Sequence, residues 1–144
     1  MGKIQDEAYW AKLQAEYAGN FEYLGFLDTA AMQEIVGNCR ALLMTPRWVE
    51  AFGNVAIEAL ACGVPVISYA RGGPIEIVRD GVTGFLVEPD SVTGLVEAIG
   101  RLGEIDRLAC RQQAEQEYSL SAWGDQLEDW FAGLIIVSNK YIDY

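Results

Sequence analysis

"PRWVEAFGNVAIEALACGVPVIS" (residues 46–68) runs from a proline-led loop through a helix into an apolar strand, and it carries Glu50 and Glu58 eight positions apart. Helical periodicity holds from about Gly53 to Cys62, and Gly63 supplies the C-terminal stop. "VPVISY" (64–69) then reads as a strand with no polar alternation. Upstream, "ALLMTP" (41–46) is a second continuous apolar strand, ended by Pro46. Strands that do not alternate are covered on both faces, which a strand–helix–strand unit with parallel pairing achieves.

The same grammar extends in both directions. "DEAYWAKLQAEYA" (6–18) reads as an amphipathic helix with Tyr9, Leu13 and Tyr17 on one stripe, leading into "FEYLGFL" (21–27) as a short strand. Asp28 is placed to cap a helix over 29–39. After the opening stretch, "RGGPIEIVRDG" (71–81) combines a Gly-Gly turn with a short helix, and "GFLVEP" (84–89) is a further strand. Asp90 or Ser91 caps a helix over 92–103, and the last third is helical throughout. The expectation is an α/β fold: a Rossmann-like parallel sheet of four strands with helices on both faces. Four strands are fewer than the roughly six of a complete doubly wound domain, so the first strands are expected to be missing. Residues 1–120 are assigned to this partial nucleotide-binding domain, and 121–144 to a C-terminal helix and tail. Trp123, Trp130 and Phe131 recur at helical spacing in that helix, which suits core or interdomain packing or self-association.

Composition narrows the function. The chain has 144 residues, 51% of them hydrophobic, and a net charge of −11. So acidic a chain offers no field for nucleic acid or an anionic membrane surface. No apolar run approaches the ~20 residues of a membrane span, and the N-terminus has no signal-peptide pattern, so a cytoplasmic setting is expected. The opening reads as the middle of a larger protein. Three widely spaced cysteines, Cys39, Cys62 and Cys110, suit a reducing interior. With no histidine in the chain, acid–base work falls to carboxylates or to another domain.

In an α/β sheet, ligands bind beyond the carboxyl ends of the strands, where a helix start turns its N–H groups outward. Residues 47–54 occupy that position. Phe52, Gly53, Asn54 and Val55 are placed to supply amides to a diphosphate, with Gly53 permitting close approach. At helical rise, Glu50 and Glu58 lie about 12 Å apart, a span that matches a sugar and a ribose at the two ends of a diphosphate. Spacing alone fits two acids on a solvated face better. The apolar neighbours of Glu58 predict a half-buried carboxylate in need of a partner.

The residues E-x-F-G, E-A-x-A-C-G-x-P-V-I, G-G-x-x-E and D-G-x-T-G-x-L-V-x-P follow one another over residues 42 to about 102. In order and spacing they resemble the C-terminal donor-binding domain of the retaining glycosyltransferases with the two-domain GT-B fold, the group 1 or glycogen-synthase-like class. The resemblance implies transfer of a sugar from a UDP- or GDP-sugar, with no resident cofactor and no metal. It assigns Glu50 to catalysis through the transferred sugar's hydroxyls. Phe52, Gly53, Asn54 and Val55 would serve the diphosphate, Glu58 the ribose, and Gly25 and Phe26 the base. Arg47, Gly72 and Gly73 are weaker donor contacts, Arg71 is a further cation nearby, and Glu76 is more simply structural. The family's G-R-x-x-x-x-K-G motif, whose basic pair steadies the leaving diphosphate, has no counterpart here, and neither has the acceptor-binding domain. This chain alone is therefore expected to be inactive. A non-catalytic nucleotide-binding or interaction module remains the alternative, and a purely structural Rossmann-like domain a third.

Overall fold

A computed structural model describes residues 4–140, with side-chain surroundings through residue 134. Of the C-terminal helix and tail assigned to 121–144, residues 141–144 lie outside the described residues. The chain forms two compact units, residues 1–35 and 36–144.

In the first unit, α1 (Glu7–Glu16) starts at Asp6, whose Oδ1 accepts the Tyr9 N–H at 2.8 Å. None of its residues is buried, and Tyr9 and Tyr17 are exposed, so the expected stripe makes no core. The strand expected over 21–27 does not form. Two of its aromatic residues pack instead on one indole: Trp10 lies 5.5 Å from Phe21 and 5.0 Å from Tyr23, centroid to centroid. Gly25 turns through the left-handed region at φ 65°, which breaks an extended run. Asp28 caps α2 (Thr29–Asn38) as its position suggests, accepting the Ala31 N–H at 2.9 Å.

The second unit is built on a three-stranded parallel sheet in the order β1 (Leu42–Met44), β2 (Val66–Tyr69), β3 (Gly84–Val87). Leu42 pairs with Val66, and Val66 with Gly84. All four residues of β2 are buried; since neighbours on a strand point to opposite faces, both faces of the sheet are covered. This partial Rossmann-like arrangement bears out the fold class, with three strands where four were expected.

Between β1 and β2 runs α3 (Asn54–Ala61), whose Ala56, Ala59 and Leu60 are buried at the i, i+3, i+4 spacing of one helix face. It packs on β1, β2 and α6 (Arg107–Tyr118). After β2 comes α4 (Pro74–Ile77), with proline at the helix start where its missing N–H costs nothing. Gln113 of α6 is buried and donates to Ile77 O at 2.8 Å, tying α6 to the end of α4. Ser91 rather than Asp90 caps α5 (Val92–Gly100), accepting the Gly94 N–H at 3.1 Å. A 3-10 turn (Leu102–Glu104) precedes α6, and α7 (Leu120–Lys140) follows it, with Trp123, Trp130 and Phe131 exposed.

The outer edge of β3 is closed by its own turn: Asp80 Oδ1 accepts the Leu86 N–H at 2.9 Å and Gly81 N–H donates to Gly84 O at 2.8 Å. A recess of ≈ 490 Å³ lies between that edge and α5, where Arg101 sits 4.6 Å over the Phe85 ring. These polar groups finish the sheet edge.

Candidate functional site

The loop between β1 and α3 lies at the carboxyl end of the sheet, against the loop that leaves β2. Glu50 forms a parallel bridge with Gly72, and its carbonyl accepts the Gly73 N–H at 2.7 Å. This contact explains both glycines. A Cβ on Gly72 would run into the backbone of Glu50, and one on Gly73 into the backbone of Phe52. The two loops meet main chain to main chain, so Gly72 and Gly73 position the Glu50 loop.

Glu50 is half-buried, and its Oε2 accepts the indole N–H of Trp48 at 3.1 Å. Gly53 is the N-cap of α3 and stands at φ 97°, ψ 47°, without a side-chain cap. The Ala56 N–H turns back to Gly53 O at 2.9 Å. Ahead of it, Asn54 and Val55 are the first two helical residues, whose N–H groups have no carbonyl one turn back. Free amides at the positive end of a helix dipole favour an anion in general. Phe52 beside them is 43% exposed.

Glu58 departs from expectation: it is exposed, not half-buried. Its apolar sequence neighbours belong to the other side of the helix, where Ala56, Ala59 and Leu60 enter the core. Glu58 shares the outer face with the exposed Asn54 and Val55, four and three positions earlier. Glu50 precedes the start of this helix in the same unit.

Other expected residues fall elsewhere. Gly25 and Phe26 belong to the first unit, where Phe26 is 82% exposed. Arg47 is exposed on the loop after β1, and Glu76 is exposed on α4. Arg71 is committed to the protein: Nη1 donates to Pro46 O and Nη2 to Asp90 Oδ2, both at 2.8 Å. That contact and the Trp48–Glu50 bond were not foreseen. The signal available for Arg71 was positional, since Pro46, Arg71 and Asp90 each stand shortly after a strand. Among the described residues, no group of three or more Cys, Asp or Glu side chains converges as a metal site.

The model of "Glycosyl transferases group 1" matches residues 2–117. The chain belongs to that family. Sucrose synthase from Thermosynechococcus vestitus is 30% identical over 110 residues, covering 74% of this chain and 13% of that protein. D-inositol 3-phosphate glycosyltransferase from Streptomyces griseus is 36% identical over 109 residues, covering 70% of this chain and 23% of that protein. Among solved structures, Anabaena HepE in complex with UDP superposes with a TM-score of 0.78 at 23% identity, over 92% of this chain and 39% of that one. Sucrose-phosphate synthase from Thermosynechococcus elongatus gives 0.75 at 26% identity, over 91% and 34%. This group 1 glycosyltransferase chain therefore spans less than half the length of each of these relatives, and its α/β fold is a partial Rossmann-like domain of the GT-B type.

Proposed function

We propose that this domain binds the donor, a UDP- or GDP-sugar, for a parent enzyme that transfers the sugar to an acceptor with retention at the anomeric carbon. One observation carries the reading: Glu50 is held at the sheet's carboxyl end immediately before the open start of α3, with Glu58 on the same outer face. A diphosphate fits the amides of Asn54 and Val55 beside Phe52 and Gly53, where dipole and N–H direction both favour negative charge. Carboxylates accept hydrogen bonds from hydroxyls without a competing donor. Glu50 takes those of the sugar, Glu58 those of the ribose. UDP heads the donor candidates because HepE was crystallised with UDP and with UDP-glucose. The other half of the fold supplies the acceptor site, and three widely spaced cysteines suit a cytoplasmic enzyme.

A second reading, a binding module without turnover, draws on Arg71. Its guanidinium is engaged by Asp90 and Pro46, so it does not replace the basic pair that would steady the departing diphosphate.

The two clamps separate in a titration of the chain with UDP and UDP-glucose, followed by amide chemical shifts. Glu58→Ala is expected to weaken both ligands alike, by roughly tenfold, as loss of a hydrogen bond to a charged group does. Glu50→Gln is expected to spare UDP and remove the additional affinity for UDP-glucose. Binding indifferent to both changes would sink the donor-site assignment.

A further inference from the structure

Arg71 stands two residues beyond β2, and its guanidinium reaches the loops of both neighbouring strands. Nη1 holds Pro46 O, two residues beyond β1, and Nη2 holds Asp90 Oδ2, three residues beyond β3. One side chain, 21% exposed, thereby ties the carboxyl ends of all three strands together. Asp90 is the sole non-glycine residue at positive φ among those described, at 65°. A backbone in that region persists where its surroundings hold it, and the ion pair to Arg71 is such a hold.

The loop carrying Glu50 is secured at its far end by the Gly72 bridge and the Gly73 N–H. At the near end, Pro46 has no N–H, so its carbonyl is the one hydrogen-bonding backbone group of that residue, and Arg71 holds it. We propose that Arg71 is a positioning residue which fixes the near end of this loop and so aims Glu50 at the sugar of the donor. The inference rests on the donor-site reading above. The planar fork of arginine serves two acceptors in fixed directions, which the single ammonium of lysine does not.

The test titrates the 144-residue chain with UDP and with UDP-glucose, in the wild type and in Arg71→Met, Arg71→Lys, Asp90→Asn and Glu50→Gln. Both Arg71 variants are expected to hold UDP within about twofold of the wild type while losing roughly tenfold for UDP-glucose, the scale of one charge-assisted hydrogen bond. Asp90→Asn, which leaves the Pro46 bond, is expected to lose less. Adding Arg71→Met to Glu50→Gln should cost nothing further, because the residue acts through Glu50. An unchanged preference for UDP-glucose overturns the proposal. So does a parallel fall for UDP, which would make Arg71 a direct phosphate contact. If Arg71→Met does not fold, Arg71→Lys decides by the same readout, since it keeps the charge and most of the stem. No effect of Glu50→Gln, or no gain from glucose in the wild type, would instead reject the donor-site reading and this inference with it.

Discussion

Gly53 stands at the junction of loop and helix, and two separate properties of glycine are in play there. A Cβ would meet Pro74 Cγ at 3.4 Å and Ile77 Cδ1 and Met44 Cε at 3.6 Å, all ordinary contacts. Space is therefore available, and the constraint is the backbone at φ 97°. Gly53→Ala is expected to destabilise the chain by about 1–2 kcal/mol, the cost of a side chain in the left-handed region, read as a lower urea midpoint with unchanged slope. That this position needs glycine was legible from residue type and place. At Gly73 the need is different, for it faces the backbone of the Glu50 loop, and Gly72 combines such a close approach with a left-handed φ of 73°. No sequence pattern distinguishes a glycine chosen for its dihedral from one chosen because another chain passes close by. The exposure of Glu58 was misjudged for a related reason. Its neighbours along the chain are apolar, but its neighbours in space are set by the helical period.

Helix α3 shows what the element scale adds. Its inward face was readable, because Ala56, Ala59 and Leu60 recur at helical spacing between two apolar strands. Leu60 is fully buried at the meeting of α3 with the sheet and α6, so Leu60→Ala is expected to cost about 2–5 kcal/mol through lost transfer energy and a residual cavity. Thermal and urea unfolding would measure it; a change under ~1 kcal/mol would mean that the site collapses around the smaller side chain. Segment 21–27 marks the opposite case. Its composition is that of a strand, yet a strand needs a partner edge for its N–H and C=O groups. Its Phe21 and Tyr23 pack against Trp10 of α1 instead. Strand composition states what a pleated surface would accept, and pairing states whether one is present.

At the scale of the whole molecule, stability depends on groups that meet only after folding. Cys110 is buried under the turn before β3, with Thr83 O as acceptor at 3.6 Å, and burial pushes its thiol up to about 11. The folded state thus keeps the thiol neutral while the unfolded chain ionises near its ordinary value of 9.0. The stabilisation is complete below that value and is lost as pH rises from about 9 through about 11. Within that window the unfolding equilibrium should rise by up to roughly tenfold per pH unit, a slope that Cys110→Ala removes. Urea melts across the window, compared between the two proteins, check it.

The sequence by itself determined the class of fold and the direction of the strands, and it singled out the candidate site, because apolar strands without alternation require burial on both faces and a strand–helix turn exposes amides. The pairing of Asp90 with Arg71, the closure of the β3 edge by Asp80 and the absence of a strand at 21–27 were decided only by tertiary structure. The first joins groups 19 positions apart that the sheet brings side by side, the second needs β3 to stand at an edge, and the third turns on whether a partner edge is within reach; local periodicity carries no information about any of them.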